Sequence, residues 1–125
     1  MIASLDHLVL TTRDAAKCID FYTRVLGMKL ETFGQGRQAL RFGEQKINLH
    51  DQSTAAEVCA AYPTPGSLDL CFLAARPLDE MIARLGAADI PIERGPITRT
   101  GARFALRSVY VRDPDRNLIE ISEPG

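Results

Sequence analysis

The sequence predicts an α+β fold in which two βαβββ modules form a curved eight-stranded mixed sheet with two helices on its outer face. Two observations carry this. Hydrophobic periodicity passes from strand-like alternation to a helical stripe and back, in the same order, twice along the chain. Between the two passages lies a polar, small-residue stretch ending in Pro63-Thr64-Pro65-Gly66, which reads as a connector. The 125 residues suit one domain, with modules at about 1–52 and 66–125 and the connector at about 53–65.

In the first module, 5–11 is β-rich. Ala15, Ile19, Tyr22 and Val25 or Leu26 then fall on one helical face, with Asp14 placed to cap and Gly27 to stop a helix over 14–26. Runs at 28–33, 38–42 and 46–50, broken by Gly34, Gly36 and Gly43, predict three strands joined by hairpin turns. In the second module, 67–73 predicts a strand. Pro77 opens a helix whose face is Leu78, Met81, Ile82 and Leu85, with Gly86 near its end. Strands are expected at 90–93, within 104–111 and at 117–122, with Asp113-Pro114-Asp115 turning into the last. Each module alone leaves one sheet face bare, so the modules are expected to pack together or against those of a second chain.

Composition excludes several classes. At 46% hydrophobic and 25% charged, the chain can bury a core. A net charge of −1 gives no general attraction to nucleic acid or an anionic membrane. No basic and apolar leader opens the sequence, and no run approaches the ~18 apolar residues of a membrane span, so a cytoplasmic protein is expected. The three cysteines, Cys18, Cys59 and Cys71, cannot all pair within one chain and show no CxxC spacing. They read as small apolar fillers, with a reactive thiol at Cys59 as the other reading.

The two histidines, His7 and His50, stand in the opening and closing strands of the first module; Asp69 and Glu120 stand in the opening and closing strands of the second. Their similar spacing suggests that the same two structural positions are used twice, and a two-fold relation between modules would gather all four. Alternation agrees, because Leu8, Leu10, Leu49, Ile119 and Ile121 face away from them. Two imidazoles and two carboxylates make a mixed nitrogen and oxygen set suited to divalent Mn, Fe, Co, Ni or Zn. Taken singly, each residue reads more readily as a satisfied strand side chain; four at repeat-related positions reverse that balance.

The sequence resembles the vicinal oxygen chelate superfamily, which includes glyoxalase I, extradiol dioxygenases, fosfomycin resistance proteins, methylmalonyl-CoA epimerase and bleomycin-binding proteins. The resemblance rests on Asp6-His7-Leu8-Val9-Leu10, on Phe21-Tyr22 followed by Val25-Leu26-Gly27-Met28, and on the closing run from Tyr110 through Asp113-Pro114-Asp115-Arg116-Asn117 to Glu120. It is strongest to small glyoxalase-domain proteins carrying Asn48-Leu49-His50 and Pro65-Gly66-Ser67-Leu68-Asp69. It implies His7, His50 and Glu120 as ligands of one divalent ion, with Asp69 standing where many relatives have histidine. It further implies a metal-dependent lyase or isomerase that chelates two vicinal oxygens of a small carbonyl substrate or thiol adduct, stabilises an enediolate and moves a proton through Glu120 or, second, Asp69.

Two alternatives follow from the same resemblance. One is a single-domain extradiol dioxygenase with Tyr110 as its acid–base group; the other is a metal-free binding protein of bleomycin-resistance type. A homodimer is expected, swapped or unswapped. Arg94, Arg99, Arg103 and Arg107 cluster in a stretch that reads as a loop at the mouth of the sheet. They suit the carboxylates of an anionic substrate such as glutathione, or equally a solvated basic loop.

Overall fold

The computed structural model describes residues 1–54, 56 and 58–125. It divides into two compact units, Met1–Ser67 and Leu68–Gly125. Among the described residues there are eight strands in two four-stranded mixed sheets, one per unit, so the paired βαβββ architecture holds.

The first unit contains β1 (His7–Thr12), α1 (Ala15–Asp20), a π-helical segment (Phe21–Val25), β2 (Lys29–Phe33), β3 (Arg37–Phe42) and β4 (Gln45–Asp51), with sheet order β1-β4-β3-β2. β1 runs parallel to β4, and the other pairs are antiparallel. The Asp14 carboxylate accepts the Lys17 N–H and starts the helix as expected. Gly27 stops it at φ 77°, a conformation that favours glycine, with its N–H donated to the Thr23 carbonyl. The core holds Cys18, Phe21, Tyr22 and Val25 from the helical stretch and Leu10, Leu40 and Ile47 from the sheet. The edge of one Phe21 or Tyr22 ring meets the face of the other at 5.0 Å.

The second unit repeats the plan with β5 (Asp69–Leu73), α2 (Leu78–Ala87), β6 (Arg94–Thr100), β7 (Ala105–Arg112) and β8 (Leu118–Pro124), in the order β5-β8-β7-β6. Leu78, Met81 and Leu85 of α2 are buried, as are Val109, Val111, Ile119 and Ile121 of the sheet. Burying each such side chain stabilises the fold by about 1.5–3 kcal/mol. Ile82 is only half-buried, at the margin of the stripe.

One stretch departs from expectation. Residues 90–93 are not a strand, and the expected arginine loop is instead strand β6, a turn at 101–104, and the start of β7. The Gly95-Pro96 pair that reads as a loop signal lies within β6, where the ladder is interrupted between Arg94 and Ile97. Gly95 sits at φ 102°, and a Cβ there would lie 2.4 Å from the Ser108 carbonyl oxygen, so glycine lets β6 approach β7 closely.

Candidate active site

In the second unit, alternation along β5, β7 and β8 sends Val109, Val111, Ile119 and Ile121 into the core. It places Asp69, Cys71, Ser108, Tyr110, Glu120 and Ser122 on the other sheet face. Cys71 and Tyr110 stand directly opposite Glu120 in the register, on either side of it. Asp69 is its diagonal neighbour, at a spacing of about 7–8 Å.

The Glu120 carboxylate is anchored through one oxygen. Ser108 Oγ donates to Glu120 Oε2 at 2.7 Å, Ser122 Oγ lies 2.6 Å from Ser108 Oγ, and Cys71 Sγ lies 3.3 Å from Ser122 Oγ. Each hydroxyl has a single proton, so the order in which every donor is used once runs thiol to Ser122, Ser122 to Ser108, Ser108 to Glu120. Both serines are fully buried. Partial desolvation pushes the Cys71 thiol above its ordinary value; the bond to Ser122 opposes this, and the Glu120 and Asp69 carboxylates add to it. Cys71 therefore stays a neutral donor. It and Cys59 are exposed, and only Cys18 is the buried filler that all three were expected to be.

The turn before β8 aligns this face. Asp113 Oδ1 accepts the N–H groups of Asp115 and Asn117, and Asn117 Nδ2 donates to Asp113 Oδ2 at 2.8 Å. Asn117 Oδ1 accepts the Leu68 N–H at 2.9 Å, tying the start of β5 to the start of β8 and so setting Asp69 against Leu118.

The four arginines are not one cluster. Arg99 Nε donates to Tyr110 Oη at 2.8 Å, and Arg103 lies over the Phe104 ring at 5.0 Å. Arg107 projects toward α2, where it bonds Asp79 at 3.2 Å, and Arg94 pairs with Tyr110 in the register beyond the bulge. The loop expectation made all four equivalent; strand alternation separates them.

In the first unit, the face away from the core carries His7, Val9, Thr11, Lys46, Asn48 and His50. His7 is exposed, and its Nδ1 lies 2.8 Å from Asp6 Oδ1, leaving Nε2 open. The imidazole is also the largest cause that holds the Asp6 carboxyl below its usual value. His50 lines a cleft of about 570 Å³ with Arg37 and Asp51. His7 pairs with Lys46 and His50 with Thr11, so the two histidines share a face but stand four residues apart, roughly 13 Å along the strands.

The register also corrects the repeat relation. Setting His7 on Asp69 sets Asn48, not His50, on Glu120: Asn48 is opposite Val9 and Glu120 opposite Cys71, each two residues beyond the first. Asn48 is buried, and its Oδ1 has no hydrogen-bond partner among the described residues. Sequence reasoning missed it, although matching Ile47-Asn48-Leu49 to Ile119-Glu120-Ile121 by their flanking apolar residues would have found it.

Each unit carries groups of a kind that ligates divalent ions, the His7 imidazole and the orphaned Asn48 amide oxygen on the first and the Glu120 carboxylate on the second. Among the described residues no group of three His, Cys, Asp or Glu side chains is placed to hold a metal.

This architecture, two βαβββ units each ending in a polar strand face, defines a class that comparison with known proteins makes specific. The family model for the Glyoxalase/Bleomycin resistance protein/Dioxygenase superfamily matches residues 4–121, and the chain belongs to that superfamily. It is 50% identical over 123 residues to virulence protein STM3117 of Salmonella typhimurium, covering 98% of this chain and 85% of that protein. The crystal structure of the Salmonella protein superposes with a TM-score of 0.97, covering 100% of this chain and 99% of that one. A glyoxalase domain-containing protein, RDO1, of Mycosarcoma maydis is 52% identical over 121 residues, covering 97% of this chain and 68% of that protein. Lactoylglutathione lyase from Agrobacterium tumefaciens is 25% identical with a TM-score of 0.75, covering 98% and 95% of the two chains.

Proposed function

We propose that the protein is a metal-dependent, glyoxalase-like lyase or isomerase acting on a small carbonyl or thiol-adduct substrate, with Glu120 as its proton carrier. The observation that carries the reading is the anchoring of Glu120: Ser108 donates to Oε2 and is itself held by Ser122, while no hydrogen bond occupies Oε1 among the described residues. A carboxylate fixed through one oxygen is aimed through the other, which is what proton transfer between adjacent carbons asks of a base. Glu120 takes the proton from the carbon beside a carbonyl and returns it to the neighbouring carbon, so atoms and charge balance over the cycle. A divalent ion, when bound, polarises the two vicinal oxygens and acidifies that C–H. The sequence offers His7, His50, Asp69 and Glu120 as ligand candidates; the register adds Asn48, two residues from the His7 level on the same face, and sets His50 about 13 Å from His7, outside a set built on His7. Likeness to the Agrobacterium lyase and to the fungal glyoxalase-domain protein supports the reaction class.

Elemental analysis of the purified protein beside His7→Ala, Asn48→Ala and Glu120→Ala tests the metal; unchanged content in all three overturns the assignment. Turnover of methylglyoxal with glutathione under several divalent metals tests the chemistry. Glu120→Gln is expected to lower kcat by about 10²–10⁴ while leaving the fold intact. Ring cleavage of 2,3-dihydroxybiphenyl under Fe(II) without glyoxalase turnover would instead favour a dioxygenase. The homodimer belongs to the same reading, and sedimentation showing only monomer at micromolar concentration would remove it.

A further inference from the structure

We infer that the second unit binds, beside Glu120, an amphipathic monoanion: a substrate with an aromatic or branched apolar body and one carboxylate. This rests on the proposed reaction and narrows its substrate class. The site is a cleft of about 480 Å³ on the sheet face that carries Glu120, within the usual range for small-molecule sites. Its walls are of two kinds. Leu73, Phe104 and Leu106 make an apolar surface, and two of these large side chains are left open to solvent, Leu73 at 50% and Phe104 at 38%. Arg99 and Arg103 line the same cleft, and no carboxylate lies within ion-pair distance of either among the described residues, whereas Arg24, Arg41, Arg76, Arg107 and Arg112 all have acidic partners.

The single bond from Arg99 Nε to Tyr110 Oη fixes that guanidinium and leaves its two terminal nitrogens as donors. Arg103 lies against Phe104, so one residue pair presents a cation and an aromatic surface together. With two guanidinium groups and one carboxylate, the ionic lining carries one net positive charge and complements one anion. A fork of guanidinium N–H groups matches a carboxylate in shape as well as charge.

The probe is phenylacetate, titrated calorimetrically into protein freed of metal by chelation, beside acetate and the neutral phenylacetamide. Saturable binding of phenylacetate is expected. Acetate and phenylacetamide should each bind about tenfold more weakly or worse, as should phenylacetate to Arg103→Met and Arg99→Met. Arg76→Met removes the same charge elsewhere on the unit and should leave affinity unchanged, and melting curves establish that each variant is folded. Equal affinity for phenylacetamide, equal affinity for acetate, an equal loss in Arg76→Met, or no saturation would each overturn the inference. Because no metal or turnover is involved, failure here with Glu120-dependent turnover intact removes only the substrate class. Phenylacetate binding in a protein that holds no metal removes only the proposed reaction.

Discussion

Replacing Asn117 by alanine should destabilise the second unit severely, because this side chain joins two strand starts from a buried position. Asn117 is 1% exposed; its Nδ2 donates to Asp113 Oδ2, and its Oδ1 accepts the Leu68 N–H. Alanine leaves the backbone donor of Leu68 and one oxygen of the buried Asp113 carboxylate without these partners. The orphaned Leu68 N–H costs about 1–3 kcal/mol and the lost hydrogen bond to the Asp113 carboxylate about 1.5–3, so the loss is about 3–5 kcal/mol. For a chain of this size that lowers Tm by roughly 10–20 °C. Far-UV circular dichroism on heating is the assay. Asn117→Asp is the sharper comparison: it keeps an acceptor for Leu68 but sets a second carboxylate against Asp113, so it should be no more stable than the alanine variant. A Tm within 3 °C of wild type for either variant, a shift of under about 1 kcal/mol, would refute the reasoning.

Arg116 has φ 74°, where an L side chain costs about 1–2 kcal/mol, so Arg116→Gly should raise stability by about 0.5–1 kcal/mol after the entropy glycine adds to the unfolded chain, read from urea melts. The Cys71 thiol titrates above its ordinary value, so its alkylation by iodoacetamide, followed by mass spectrometry, should be slow at neutral pH and climb as pH rises. Glu120→Gln removes one negative charge disfavouring the thiolate and should speed that reaction near neutrality, by less than about tenfold since desolvation is the larger cause. Glu93 is held below the usual glutamate value first by its hydrogen bond to Arg112. Its stabilising contribution is therefore complete above that usual value and lost as pH falls through the depressed one, so Arg112→Gln should flatten the acid limb of a stability–pH curve below the usual glutamate value.

Both helices and seven of the strands were legible because each has a local cause: a cap at Asp14, a stop at Gly27, apolar spacing on α2, and glycines between β2, β3 and β4. The strand β6 was not, because Arg94-Gly95-Pro96 carries two residues that ordinarily end strands; only pairing with β7, possible because Gly95 has no Cβ, overrides them. For the site, Tyr110 came only from the family resemblance, while alternation sufficed to put Glu120 and Asp69 on one face. It did not reveal Ser108 and Ser122, since a serine's role depends on which residue the register sets beside it. The same limit hid the division of the arginines. Arg107 and Arg99 are strand residues whose side chains go to opposite faces, and that parity cannot be assigned until β6 and β7 are known to be strands.

The register places Asn48 where Glu120 stands, and this difference bears on how one sheet plan serves two ends. A carboxylate on each unit would bring like charge to repeat-equivalent positions. An amide keeps an oxygen donor of similar reach without the charge, and Asn48 Oδ1 is already desolvated and unpartnered. A buried acceptor left in that state costs about 1–3 kcal/mol, a cost the fold bears only where something else repays it. On the second unit the equivalent side chain is a carboxylate held by Ser108, which Ser122 supports in turn. On the proposed reading the two faces do different work: the first offers His7 and the Asn48 amide as donors to an ion, and the second offers an anchored carboxylate as the base. Gains or losses of charge at these two positions should therefore not be interchangeable. On the proposed reading Asn48→Asp should change ion affinity and Glu120→Gln should lower kcat, and measuring metal content beside turnover for each variant separates the holding of an ion from proton transfer.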